Sequence, residues 1–339
     1  MKRISFIALT LLVMVMGTQA KSWKVGPNSV VGMDFESIND AMSKVSAGDT
    51  LYLDQYYIEG SEQDVTKRVV IIGTGYDTSL TDEQVVATLT NNLNLKANKV
   101  VVKSVKLSKA YFYGDDCTLE RCYATYIHTA SSTAGMNHIY SCYIKGYING
   151  YEERTHSMLD IQNCVVINND QKGNINWLTA SKIKNNVIIN TVTGITTSCI
   201  SIMEHTEIVN NIILHPVGGL EDYDINSYIF EPGHYNVIEH NVLSRTSAIE
   251  LFPNNKTGYG SASIFLQEGT FSDYYRLMED SPLATYATDG GEVGCHGGMF
   301  GCPAGGRPQY IPYFTKVTVG SRVENGKLPV SVTIKIQDE

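Results

Sequence analysis

The chain has 339 residues, 43% of them hydrophobic, and a formal net charge of −9. This acidic balance argues against a nucleic-acid partner, because proteins that bind phosphate backbones carry clustered positive charge. The length exceeds the size at which one globular core usually stops growing, whereas a solenoid escapes this limit because its core lengthens coil by coil.

The first 20 residues have the pattern of a signal peptide. Lys2 and Arg3 provide a positive start, residues 4–16 are mostly apolar, and residues 18–20 offer small side chains for cleavage. The apolar run is shorter than the roughly 20 residues that a membrane span needs, so we expect no membrane-spanning segment. The sequence therefore predicts export to the periplasm, the cell surface or the extracellular medium.

A helix is predicted over residues 35–46, because apolar residues recur there at helical spacing. The residues on the apolar face are Phe35, Ile38, Met42 and Val45. Asp34 is placed to cap the start of this helix and Gly48 to end it. A helix ahead of the first coil would cover the open end of a solenoid.

Six segments between residues 119 and 241 share one local pattern. In each segment an aliphatic residue is followed three positions later by Cys or Asn, here called the pivot, and then by another apolar run. The pivots are Cys122, Cys142, Cys164, Asn186, Asn211 and Asn241. A recurrence of this length indicates a solenoid. We predict one continuous solenoid from about residue 50 to 266, with the three cysteines stacked inside it and the asparagines at inward-facing bends.

Further motifs lie at both ends of this repeat. They are residues 47–53 after the helix, residues 281–283, 289–294 and 297–298 after the last coil, and residues 328–335 at the end. Together with the repeated Ile-x-Asn-Asn-x-Ile text, they resemble right-handed parallel β-helix proteins of the pectin-lyase-like superfamily, in the secreted form found in Bacteroidetes. The resemblance implies an all-β chain with an N-terminal helical cap and a short C-terminal β segment. The boundaries are 1–20 for the signal peptide, 21–306 for the β-helix with its cap, and 307–339 for the β tail.

The resemblance implies no single activity, because the superfamily includes lyases, hydrolases, esterases and adhesins. We expect the protein to bind or process extracellular polysaccharide along one long face. If it is an enzyme, a polysaccharide lyase or a glycoside hydrolase is the expected class. The alternative is a non-catalytic surface, adhesion or structural module, which a face with only paired charges would favour.

The first candidate site lies in the turns just ahead of the pivots. Its candidate catalytic residues are Glu204, His205, Glu231 and His234. Two such Glu/His pairs could serve as acid and base or hold a divalent metal, whereas the alternative is an ordinary polar turn. Arg154 and His156 occupy a similar place two coils earlier and are candidate substrate-binding residues.

The second candidate site is the outer face of the strands that precede the pivots. Residues four before each pivot, including Asp160, Lys182 and Glu207, should form a line of neighbours in successive coils. Lys184, two before its pivot, should lie beside this line. These four residues are candidate substrate-binding residues, and the alternative is a solvated face with weak ion pairs.

Two further observations concern sugars and metals. Tyrosines crowd one region, and their rings suit either sugar faces or packing between coil and loop. They are Tyr123, Tyr126, Tyr140, Tyr143, Tyr147 and Tyr151. The acidic loop with Glu221, Asp222 and Asp224 offers oxygen ligands for calcium, although it lacks the alternation of a calcium-binding loop. Otherwise no cofactor is predicted.

Cys295 and Cys302 flank a glycine-rich loop. They could form a disulfide in an oxidising compartment or stay free. No cysteine and histidine spacing in the chain predicts a structural zinc site.

Overall fold

The computed structural model describes residues 20–77, 85–130, 135–150, 157–169, 173–192, 198–202, 204–215, 235–244, 252, 254–266, 275–302, 305–306, 313–319 and 330–335. The predicted signal peptide therefore lies outside the described residues, apart from Ala20. Within the described ranges, no helix is both long and apolar enough to cross a membrane.

Two long parallel sheets form the body of the molecule, with strands numbered in chain order. Sheet A contains β1 (Ser22–Val25), β2 (Thr50–Leu53), β5 (Val70–Ile72), β7 (Val101–Lys103), β9 (Thr118–Glu120), β11 (Asn137–Tyr140), β13 (Leu159–Gln162), β16 (Lys182–Lys184), β19 (Glu207–Val209) and β21 (Val237–Glu239). Sheet B contains β3 (Ile58–Glu59), β4 (Gln63–Val65), β6 (Thr88–Leu95), β8 (Lys106–Phe112), β10 (Tyr123–Thr129), β12 (Tyr143–Asn149), β14 (Val165–Asn168), β15 (Ile175–Leu178), β17 (Val187–Asn190), β18 (Ile200–Ile202), β20 (Ile212–Leu214) and β22 (Val242–Leu243).

Strands from the two sheets alternate along most of the chain, and each strand pairs in parallel with strands of neighbouring coils. This is a parallel β-helix, so the predicted fold class is confirmed. Sheet B divides after β12, because the first half of β12 pairs with β14 and the second half pairs with β15. At the C-terminal end, β23 (Tyr313–Val319) and β24 (Val330–Lys335) form an antiparallel pair, as the prediction of a short β segment required.

The N-terminal cap differs in detail from the prediction. The helix α1 spans Ile38–Lys44, and the side chain of Ser37, not Asp34, caps it by accepting a hydrogen bond from Asp40 N at 3.0 Å. Asp34 instead accepts from the backbone N–H of Lys24. The strand β1 precedes the helix and pairs with β2, so the solenoid begins at residue 22, before the predicted start near residue 50. A second helix, α2 (Ser261–Ile264), follows the last coil.

A ladder of hydrogen bonds runs along the pivots inside the solenoid. The backbone N–H of Cys122 donates to Cys142 Sγ at 3.4 Å, and Cys142 repeats this contact with Cys164. In the following coils the acceptors are asparagine side-chain oxygens at 2.8 to 3.0 Å, and the ladder ends on Asn255. All six predicted pivots are fully buried. The stacked cysteines and inward-facing asparagines are therefore confirmed, and Asn255 is a rung that the pattern missed.

The residue just before each pivot turns the chain from sheet A to sheet B with a left-handed backbone. These bend residues are Arg121, Ser141, Asn163, Asn185, Asn210 and His240, with φ between 50° and 61°. Asparagine tolerates this conformation better than most residues, which explains why it recurs there. The bend residues form a continuous corner along the molecule.

Residues 283–302, here called the covering segment, lie along this corner and run against the order of the coils. In the middle of this segment, Gly294 N donates to Asn210 O at 2.9 Å. Further on, Asn163 Nδ2 donates to Cys295 O at 3.0 Å, and Ser141 Oγ donates to the carbonyl of Phe300 at 2.9 Å. Successive coils therefore form hydrogen bonds with successive parts of the covering segment.

The covering segment and the residues before it bury part of the outer face of sheet B. The outward side chains of the later coils are Val165, Val187, Ile212, Leu214 and Val242. They pack with Ile264, Phe265, Leu277, Leu283, Val293 and Cys295 in a second apolar cluster outside the solenoid interior. This part of the face is here called the covered half of sheet B.

Candidate functional site

The outer face of sheet A has the register that the repeat predicts. Asp160 pairs with Lys182 across β13 and β16, and Lys182 pairs with Glu207 across β16 and β19. Ile161 and Ile183, which lie beside these positions, are fully buried, so the alternation of inward and outward side chains also holds. The structure therefore brings the predicted acid–base–acid line together, while its role in substrate binding stays a prediction.

Asp160 is the centre of a hydrogen-bond network on this face. It accepts hydrogen bonds from Tyr140 Oη and Gln162 Nε2, both at 2.7 Å. The nitrogen His138 Nδ1 lies 2.7 Å from Tyr140 Oη and 3.7 Å from the Asp160 carboxylate. Burial acts to raise the pKa of Asp160, but the surrounding hydrogen bonds outweigh burial and hold the pKa below its usual value. A carboxylate held in this way is a poor proton donor or acceptor near neutral pH.

Phe300 of the covering segment lies on this network. Its ring stacks on Tyr140 with the centroids 4.0 Å apart and the planes within 8° of parallel. Burial and the hydrogen bond to Asp160 both raise the pKa of Tyr140. The Tyr140 hydroxyl therefore stays protonated and donates to Asp160.

The remaining charges on this face are largely paired. Lys184 Nζ forms an ion pair with Glu207, and Lys103 Nζ forms one with Glu120 at 2.6 Å. Lys182 is exposed. Paired and partly exposed charges of this kind make weak surface contacts.

The turn site is described only in part. His205 Nδ1 lies 3.8 Å from Glu204 Oε2, and the side chains of His205 and Glu204 are 55% and 43% exposed. The His205 ring stacks on Tyr235, with the centroids 5.3 Å apart. The other predicted members of these turns, Glu231, His234, Arg154 and His156, lie outside the described residues. The predicted calcium loop with Glu221, Asp222 and Asp224 lies outside them too.

An aromatic platform lies on the outer face of sheet B in the coils of β8, β10 and β12, which are here called the open half of sheet B. The platform consists of Tyr111, Tyr126, His128 and Tyr147, all half-buried. Tyr126 and Tyr147 have ring centroids 4.6 Å apart, and Tyr111 and His128 stack at 5.0 Å with nearly parallel planes. The His128 ring meets Tyr147 edge-on at 5.6 Å, so the two pairs form one surface.

Polar and aromatic residues extend this platform on two sides. Lys109 Nζ lies 6.0 Å from the centre of the Tyr126 ring, and Lys145 is exposed on β12. Asn149, two residues after Tyr147 in β12, is buried and accepts a hydrogen bond from Asn176 Nδ2 in the next coil. Trp177, the residue after Asn176, lies where the register of β15 shifts and is 46% exposed. The surface therefore combines flat rings with ammonium groups.

The platform contains only two of the tyrosines that the sequence analysis grouped together. Tyr123 and Tyr143 instead stack on each other and on the buried Tyr76, with centroids 5.7 to 6.4 Å apart. Tyr140 lies under the covering segment, and Tyr151 is outside the described residues. For three of the six, packing between coil and loop is therefore the observed role.

A third group of chemically active side chains was not predicted as a site. Cys295, His296 and Cys302 each place one donor atom within 4.8 Å of the other two, and the two sulfurs are 2.8 Å apart. Both cysteines are free thiols in this structure. Burial acts to raise the pKa of Cys302, but the neighbouring Cys295 and His296 side chains outweigh it and lower the pKa. The signal that was missed is a Cys-His pair followed six residues later by a second Cys among glycines.

No protein-family model matches this chain, and no curated protein sequence matches it either. The assignment of function therefore depends on the geometry described above.

Proposed function

We propose that this protein is an exported polysaccharide-binding β-helix and that the aromatic platform is its glycan-binding surface. The observation that carries this proposal is the contrast on sheet B. Stacked aromatic rings are only partly buried on the open half, although the covered half shows that the same sheet can bury its outer face.

The chemistry of the platform suits a sugar chain. A tyrosine ring offers apolar surface to the C–H groups of a pyranose, and its hydroxyl exchanges hydrogen bonds with sugar hydroxyls. Adjacent coils of a β-helix lie about 4.8 Å apart, which is close to the length of one pyranose residue in a linear glycan. A linear polysaccharide lying along the solenoid axis would therefore follow the row of Lys109, Tyr126 and Tyr147, with Tyr111 and His128 in the neighbouring row.

The sheet A face and the turn site support binding without cleavage. Asp160 accepts two hydrogen bonds and lies 3.7 Å from His138 Nδ1, and Glu207 is paired with Lys184. Glu204 and His205 lie on an exposed turn 3.8 Å apart. By resemblance, we place the chain in the pectin-lyase-like superfamily, in its secreted Bacteroidetes form. Within that superfamily we propose that it is a non-catalytic member.

A glycan array tests this proposal, followed by affinity electrophoresis on the polysaccharides that bind. We expect the Tyr126→Ala/Tyr147→Ala double variant to lose at least about tenfold in affinity, since aromatic anchors dominate binding energies. The matched control is Tyr235→Ala, because Tyr235 is 76% exposed but lies near the turn site.

Analysis of the polysaccharide after incubation separates binding from processing. We expect chains of unchanged length. Released oligosaccharides that disappear in Glu204→Gln would establish the turn site as catalytic and contradict the binding-only proposal. Equal losses of glycan affinity in the platform variant and the Tyr235 control would contradict the assignment of the platform as the binding surface. Absence of any bound glycan would contradict it too.

A further inference from the structure

We propose that Cys295, His296 and Cys302 form a binding site for a thiophilic divalent metal ion of the Zn²⁺ type. The three residues lie in the covering segment and are not part of the aromatic platform. The inference is independent of what the platform binds.

The donor set and its dimensions fit such an ion. Each of the three side chains offers one donor atom, and these atoms all lie within 4.8 Å of one another. Zinc binds cysteine sulfur at about 2.3 Å and histidine nitrogen at about 2.0–2.1 Å, which separates two sulfurs of a tetrahedral site by about 3.8 Å. The sulfurs are now 2.8 Å apart, so small rotations of the two cysteine side chains would admit the ion.

The backbone around the site is built for this close approach. Gly294 and Gly301, which flank the two cysteines, have φ of 86° and 71°, in the region that favours glycine. A Cβ on Gly297 would lie 1.8 Å from the backbone oxygen of Glu292. The loop can therefore close tightly enough to bring Cys295 and Cys302 together only with glycine at these positions.

A second observation also indicates a ligand. His296 Nε2 is buried and has no hydrogen-bond partner among the described residues. A buried polar atom in this state requires an explanation, and a bound ion supplies one.

A disulfide between Cys295 and Cys302 explains less of the structure. It would join the two sulfurs but leave His296 Nε2 buried without a partner. The exported location that we propose favours disulfides, so the two outcomes must be separated by experiment. The metal site would fix the covering segment at the point where Asn163 holds it by hydrogen bonds to Cys295 O and Gly297 O.

The test uses the full mature chain, reduced and freed of metal with a chelator, and then titrated with Zn²⁺ alone. We expect one equivalent to bind, and we expect Cys302→Ser and His296→Ala each to weaken binding by about tenfold or more. Cys199→Ser is the matched control, because Cys199 is also a buried thiol but lies outside the covering segment. Zn²⁺ should raise the thermal midpoint of the parent protein and of this control, but not that of Cys302→Ser.

Titration with Co²⁺ gives a readout that remains valid if a variant folds poorly. Thiolate ligation should produce an intense near-ultraviolet charge-transfer band in the parent protein. Absence of this band, absence of stoichiometric Zn²⁺ binding, or binding that neither substitution weakens would overturn the proposal. A mass spectrum of the exported chain that shows a Cys295–Cys302 disulfide would overturn it as well.

Discussion

The two halves of the outer face of sheet B differ in how far their outward side chains are buried. On the covered half, Val187 and Ile212 point outward and are fully buried beneath the covering segment. On the open half, the strands β8, β10 and β12 carry aromatic and cationic side chains that remain partly exposed. Burial stabilises the covered half, whereas we propose that the rings of the open half bind a glycan.

The largest expected effect comes from breaking the covered half. Ile212→Ala should lower the free energy of unfolding by about 2–5 kcal/mol, because the site is closed by Gly294 and cannot collapse easily. Tyr126→Ala on the open half is the control and should cost less than half as much. Urea unfolding followed by circular dichroism measures both. Equal losses would mean that the open half is as important for stability as the covered half.

The pivot ladder lies in the solenoid interior, beneath both halves of sheet B. Its contribution to the free energy of unfolding is a reference for those of the two halves. Asn186→Leu should cost roughly 1–3 kcal/mol, because it removes hydrogen bonds to Asn211 and to the Ile161 carbonyl in a fully buried position. Thermal and urea unfolding measure this loss, with the exposed Asn91→Leu as the control. A neutral result for Asn186→Leu would mean that the ladder hydrogen bonds contribute nothing net.

The smallest effect concerns the end of the covering segment, where Phe300 stacks on the Asp160 network. Because the pKa of Asp160 is lower in the folded chain than in the unfolded one, its contribution to stability is complete above the unfolded value of about 3.9. That contribution is lost as the pH falls below about 4. The thermal midpoint of the parent protein should therefore fall more steeply below pH 4 than that of Asp160→Asn. Parallel curves would show that the network does not stabilise the fold.

The regular part of the fold could be predicted from the sequence because its determinants are local. An aliphatic residue and a pivot three positions later define one bend of one coil, and repetition defines the stack. The pattern missed Asn255 because the residue three before it is Phe252. It also missed β1, because the sequence around residues 22–25 lacks a pivot.

The surfaces could not be predicted in the same way, because they depend on contacts between distant residues. Asn163 and Cys295 are 132 positions apart, and nothing periodic in the glycine-rich covering segment indicates where it lies. The platform was predicted only in part, because the register between β10 and β12 shifts after Ala124. Alternation along the strand therefore did not identify His128 as a neighbour of Tyr147.

Tyrosine footprinting tests the central claim most directly. The protein would be treated with a tyrosine-acetylating reagent, with and without a polysaccharide that binds it, and the modified residues would be located by mass spectrometry. The account predicts that the polysaccharide protects Tyr111, Tyr126 and Tyr147, while Tyr52 and Tyr235, both exposed elsewhere on the surface, react as before. Protection of Tyr235 with unchanged reactivity on the platform would contradict it.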